Sequence, residues 1–229
     1  MPMKSPGAAL LAGAILLAAS AGFEARADGA LTLDSDALNA GGCFGQTVCT
    51  IDGATIAATG GPIAKKVDMG QTGFGVGNGA SGAEIDVGQN LRVDFSEERS
   101  ILAIKILFLY NGPEFGDRAE KVQVTADGVT YTLSVRNDAD DAAADWSGPG
   151  AVSKCGATTS TGAGCFLVTD PFPGVVSRLD FTALHGGTPY SGPGSNDSDY
   201  SIGYIDSGAD DVVDLGNCAD PAGCPIASA

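Results

Sequence analysis

The chain has 229 residues, with 12 Lys+Arg against 28 Asp+Glu and a formal net charge of −16. A sequence pI near 4.1 repels phosphate backbones and anionic lipid, which sets nucleic acid and membrane surfaces aside as partners. Thirty-four glycines and 11 prolines point away from long helices and toward short elements joined by turns.

In chain order, Met1 to Ala27 reads as an export signal. Lys4 supplies the positive end, Ala8 to Ala19 is apolar, and Ala25-Arg26-Ala27 places small residues where a signal peptidase cuts. A retained membrane anchor is the alternative, but the apolar run is short of the ~20 residues of a bilayer span. The mature protein is expected to begin at Asp28, with no membrane insertion afterwards. Lys4, Arg26 and Glu24 leave with the signal, so 10 basic and 27 acidic residues remain, a net charge of −17.

All six cysteines follow the signal, as Cys43 and Cys49, Cys155 and Cys165, Cys218 and Cys224. An even number in an exported chain predicts disulfides, and the spacing suggests three local bridges. With no C-x-x-C and one histidine, His185, a zinc or redox centre is not expected.

Strand candidates begin at "ALTLD", "TVCTIDGATIAAT" and "AKKVDM". Leu91 to Phe95 alternates, Ser96 to Arg99 reads as a charged turn, and Ile101 to Tyr110, "ILAIKILFLY", reads as a central strand or a buried helix. "AEKVQVTA" and "VTYTLSVR" flank Asp127-Gly128, a hairpin dipeptide, with Val129, Tyr131, Leu133 and Val135 on one face. Asn137 to Trp146 reads as a loop with a short turn or helix. Further strands are predicted at Cys165–Thr169, Val175–Leu184 and Tyr200–Asp206. The expected fold is all-β: one β-sandwich domain over residues 28–229, jelly-roll-like, with long Gly/Asp-rich loops, or alternatively a barrel.

Gly77-Asn-Gly79-Ala-Ser-Gly82 matches the G-x-G-x-x-G of dinucleotide-binding loops. That loop must open a helix whose N-terminus meets the pyrophosphate. Here "AEIDVGQNLRVDF" follows, a strand-like segment with two carboxylates, so the match reads as coincidence.

The same region resembles exported bacterial domains found in PEP-CTERM-sorted surface proteins. The residues carrying the resemblance are Gly73, Gly75, Val76, Gly77, Glu84, Ile85, Asp86, Leu91, Val93 and Phe95, within roughly residues 70–130. It implies a β-sandwich of unassigned function associated with the cell surface and exopolysaccharide matrix, and no established catalytic residues. Such proteins end in Pro-Glu-Pro, a membrane helix and a basic cluster, whereas this chain ends "NCADPAGCPIASA". It is therefore expected to be released or held at the surface by other means.

In a strand, Glu84 and Asp86 would share a face with Ile85 on the other. Two adjacent carboxylates need a cation, a basic residue or backbone donors between them. Calcium is the natural cation in an exported acidic protein, which makes Glu84 and Asp86 the candidate metal ligands; bonding to amides of the glycine-rich bend is the alternative. Asp138, Asp140 and Asp141, then Asp197 and Asp199, then Asp206, Asp210 and Asp211 read as solvated loop clusters, and none has the EF-hand pattern.

No nucleophile elbow is present, His185 reads as a strand-end or turn residue, and each cysteine has an expected disulfide partner, so no catalytic residue is assigned. A carboxylate-pair glycosidase chemistry stays open among 27 acids, but no pair stands out. For sugar binding, Trp146 in an acidic loop and Tyr190 in the loop before Tyr200 and Tyr204 are the candidate stacking residues; Tyr204 is expected in the core. Aromatics make up only 7% of the chain, which argues against a broad stacking platform. The sequence therefore predicts a non-enzymatic secreted or surface-associated protein with a structural or matrix role. Its expected partners are polysaccharide or other surface proteins, and a calcium-assisted carbohydrate-binding module is the alternative.

Overall fold

The structure is a computed structural model and describes residues 29–79, 81–110, 119–136, 143–155, 164–186 and 197–208. The elements run β1 (Leu31–Asp34), α1 (Ser35–Ala40), β2 (Val48–Ile51), β3 (Ala54–Thr59), β4 (Ile63–Asp68), β5 (Gln71–Val76) and β6 (Asn90–Leu107). They continue with β7 (Lys121–Ala126), β8 (Val129–Val135), β9 (Ala144–Trp146), β10 (Ala151–Lys154), β11 (Cys165–Thr169), β12 (Val175–Leu184) and β13 (Ser201–Gly208). The fold is all-β, with every strand pair antiparallel. The signal segment, Tyr190, Cys218 and Cys224 lie outside the described residues, as do Asp138, Asp140, Asp141, Asp210 and Asp211.

β6 organises the sheet. Its 18 residues extend over about 60 Å of strand. In the first half, Leu91 pairs with Ala58 of β3 and with Phe181 of β12. In the second half, Leu107 pairs with Cys165 of β11 and with Ser201 of β13. Two strand groups thus meet along one strand. One apolar cluster draws on both, with Val93, Val124 and Phe181 from the first and Phe74, Ile104 and Ile202 from the second.

Ser96–Arg99 does not reverse the chain as the sequence suggests. Val176 pairs with Arg99 and Arg178 with Asp94, so Ser96, Glu97 and Glu98 bulge from a strand that continues. Arg99 turns inward, 5% exposed, and donates to the Gly29 carbonyl at 3.4 Å. Of the residues that suggest a turn, Ser96, Glu97 and Glu98 form the exposed crest of this bulge. Ile101–Leu107 is strand rather than helix.

Asp127-Gly128 closes the predicted hairpin with both residues at positive φ, 46° and 86°. Asp52-Gly53 and Met69-Gly70 do the same for β2–β3 and β4–β5, the mirror-image turn that matches strand twist. The face predicted along β8 is only partly buried: Leu133 and Val135 are buried, Tyr131 is half-buried and Val129 is 56% exposed at the hairpin tip.

The one helix among the described residues, α1, has six residues and too little length for a periodic signal. Asp34 caps it, its Oδ1 accepting from the amides of Asp36 at 3.0 Å and Ala37 at 2.8 Å. Cys43–Cys49 ties the chain after α1 to β2, and Cys155–Cys165 ties the end of β10 to the start of β11; both bridges were predicted.

The glycine-rich stretch opens no helix. Gly73 and Gly75 belong to β5. A Cβ on Gly75 would lie 2.7 Å from the Ala83 carbonyl oxygen, so this glycine lets the following segment pack directly on the strand. At Gly79 a Cβ would fall 1.5 Å from Asp86 Oδ2, where the carboxylate itself sits.

Candidate functional site

Unusual groups gather where β4, β5, the end of β6 and the start of β13 meet. Glu84-Ile85-Asp86 is not a strand, so the two-residue alternation predicted for it does not apply. Positive φ at Gly82 and Gly88 bends the chain on either side, and each residue finds its own partners. Ile85 is fully buried, and its amide donates to the Tyr200 carbonyl at 2.7 Å.

Glu84 is buried, 4% exposed. Lys66 of β4 reaches it with Nζ 3.0 Å from Oε2; the same ammonium donates to the Ser81 carbonyl at 3.4 Å and stands 5.6 Å from the Phe108 ring centroid. The positive group beside Glu84 is thus a lysine of this chain. Burial pushes the Glu84 carboxyl above its ordinary value and the charge of Asp86 adds to this, while Lys66 and a hydrogen bond with the Asp199 carboxyl pull it down.

Asp86 follows the alternative reading of bonds within the bend. Its Oδ1 accepts from the Ser81 hydroxyl at 2.7 Å and the Ser81 amide at 3.4 Å. Gln89 completes the corner, its Oε1 accepting from the Asp86 amide at 3.0 Å and its Nε2 donating to the Gly77 carbonyl at 3.2 Å.

Phe108 lies beneath Lys66 with φ of 62° and 2% exposure. A buried aromatic in the left-handed region is strained. It marks the point where the chain leaves β6. Just beyond, the Tyr110 amide donates to the buried Glu120 carboxylate.

Asp199 is 2% exposed, not solvated as the sequence suggests. Asp197 binds His185 Nδ1 through Oδ2, and its Oδ1 accepts from the amides of Gly186 at 2.8 Å and Ser198 at 2.9 Å. Partial burial opposes ionisation of Asp197, but these donors together hold its carboxyl below the ordinary value. The His185 side chain is 68% exposed and fastens the end of β12 to the approach of β13. Among the described residues no group of three or more His, Cys, Asp or Glu side chains is arranged to hold a metal ion.

The aromatic candidates are arranged otherwise than predicted. Trp146, expected as an exposed loop ring, stacks on Tyr131 at 5.6 Å and 22° and meets Phe172 edge-on at 6.3 Å. Its indole N–H donates to the carbonyls of Pro149 at 2.9 Å and Pro171 at 3.4 Å, so it fastens two turns. Tyr131 and Phe172, 5.2 Å apart, instead line an open cleft of about 220 Å³ with Val129, Pro173 and Val176. Asp127 stands at its rim, held by the Ser177 amide at 2.9 Å and hydroxyl at 2.8 Å. The core tyrosine is Tyr200, fully buried with its hydroxyl donating to the Thr182 carbonyl at 3.2 Å, while Tyr204 is half-buried.

Sequence reasoning missed Lys66, Asp199, Glu120, Tyr131 and Phe172 as site residues. Lys66 and Glu84 are 18 positions apart, and Asp199 is far further along; only strand pairing brings them together. No protein-family model, curated protein or solved structure matches this chain.

Proposed function

We propose that this chain is a secreted or surface-associated β-sandwich protein that acts without catalysis, as a structural component of extracellular matrix. The observation that carries this reading is the use of its distinctive acids. Glu84 is joined to Lys66, Asp197 to His185, Asp127 to Ser177 and Glu120 to the Tyr110 amide. Each bond crosses between segments, so chemistry that could have served a ligand or a reaction holds the fold. Two short disulfide loops add to this. The test is fractionation of the epitope-tagged full chain in its native host. Recovery in the surface or matrix fraction, cut before Asp28, supports the reading; retention inside the cell removes it.

The second reading is carbohydrate binding, favoured by the cleft of Tyr131 and Phe172. The half-buried Tyr131 ring can meet the apolar face of a sugar over a floor set by the buried Phe172, and Asp127, already fixed by Ser177, retains lone pairs for hydroxyl groups. A polysaccharide pull-down with calcium and with chelator tests it. Binding lost in Tyr131→Ala favours the cleft, and binding lost in chelator adds a calcium requirement. No binding by the folded protein in either buffer removes it.

A further inference from the structure

We propose that the cleft of Tyr131 and Phe172 selects a protonated amino sugar, one ring of a cationic polysaccharide held with its ammonium group at Asp127. This rests on the carbohydrate reading of that cleft and names its ligand class.

The cleft is small. Its volume of about 220 Å³ is below the ~300–1,000 Å³ of pockets that enclose a drug-sized ligand. It has room for a single ring, with the rest of a polymer lying outside. Val129, exposed at the hairpin tip, and the Pro173-Gly174 turn line it. Tyr131 and Phe172, tilted at 49° to each other, supply its aromatic surface. Trp146 stacks on Tyr131, so that ring is already held in place when a ligand arrives.

Charge chooses the sugar. Among the described residues, Asp127 is the one charged group lining the cleft. Its Oδ2 accepts from the Ser177 amide at 2.9 Å and its Oδ1 from the Ser177 hydroxyl at 2.8 Å, and each oxygen keeps a further lone pair. Arg178 does not cancel this charge. Its guanidinium is bonded to Asp94, and Arg92 is bonded to Asp180, so two arginines answer three carboxylates around the cleft's rim.

A carboxylate beside aromatic rings attracts an ammonium group twice over, through its own charge and through the negative ring faces. A uronic acid meets repulsion at the same place. The net charge of −16 acts with the same sign at longer range, drawing in a polycation and turning away a polyanion. A neutral sugar keeps the ring contact and the hydroxyl bonds but gains nothing from charge.

The test is calorimetric titration of the oxidised protein at about pH 5.5, where an amine is protonated. The probes are three tetramers of one linkage: glucosamine, N-acetylglucosamine and glucose. The glucosamine tetramer should bind roughly tenfold tighter than either of the others, the combined effect of one exposed ion pair and one cation–π contact. Asp127→Asn retains a hairpin dipeptide, Asn-Gly, and should bring the glucosamine tetramer down to the level of the glucose tetramer. Raising the wild-type protein to about pH 9 discharges the amine and should do the same, which decides the matter if the variant does not fold. Equal binding of all three tetramers would overturn the inference and leave the carbohydrate reading standing, whereas no binding of any would remove both. Tetralysine bound as tightly as the glucosamine tetramer would also overturn it, because the cleft would then read charge without the ring.

Discussion

Lys66 Nζ lies 3.0 Å from Glu84 Oε2, with the lysine side chain 24% exposed and that of the glutamate 5%. The pair joins β4 to the segment before β6. Lys66→Met would leave a buried carboxylate without its cation. Fully buried pairs broken this way lose about 3–5 kcal/mol; partial exposure of the lysine lowers the expected loss to about 2 kcal/mol. Urea unfolding near neutral pH should show it, and Lys66→Met with Glu84→Gln should recover most of it.

Gly79→Ala should be among the costlier glycine substitutions. Its Cβ would fall 1.5 Å from Asp86 Oδ2 and 3.0 Å from Gln89 Nε2, so both side chains of the corner must move. The expected loss is about 2 kcal/mol, read as a lower urea midpoint. A change at the open position Gly88, where φ is 90°, acts through backbone strain alone and should cost about 1 kcal/mol.

Trp146 and Tyr131 should separate stability from recognition. Trp146→Phe keeps the stack on Tyr131 but loses the N–H bond to Pro149, a loss of about 1 kcal/mol. Trp146→Ala also removes the half-buried ring and should cost about 2–3 kcal/mol. If the cleft binds sugar, Tyr131→Ala should abolish pull-down while Trp146→Phe retains it.

Asp197 and Glu84 should respond to acid with opposite signs. Asp197 is held below its ordinary value, so its contribution is present above that value and lost as pH falls through the folded one. Asp197→Asn should therefore reduce the melting temperature near neutrality and converge on the wild type in strong acid. Glu84 is held above its ordinary value; Glu84→Gln should gain on the wild type as pH rises through that range, since the amide has no charge to bury.

Much of the strand pattern is legible locally. β11 and β12 occupy the residues read as strands, and Asp127-Gly128 closes the hairpin its dipeptide predicts, because period-two apolar spacing and turn chemistry are properties of neighbours in sequence. At Ser96–Arg99 the sequence suggests a turn where the chain makes a bulge, for a physical reason. A run of charged residues marks exposure, and an exposed bulge and a turn look alike until the pairing partner, here β12, is known. α1 is set by one Asp34 cap and packing of Leu38, too little for a periodic signal.

The site was less legible. The spacing singles out Glu84 and Asp86, but what satisfies them depends on Lys66 and Ser81, and Lys66 arrives with β4, whose register is fixed by its pairing with β5. Trp146 showed the same limit. Its place in an acidic loop suggests exposure, while its actual cover, Tyr131 and Phe172, arrives from β8 and the turn before β12.

If the protein is exported and forms part of the surface material, its location in the native host and its N-terminus will show it. The tagged full chain should be recovered from the native host in the matrix or surface fraction, beginning at Asp28. Recovery of uncut protein inside the cell would rule out export, and recovery of all the protein free in the medium would rule out the matrix role while leaving secretion standing.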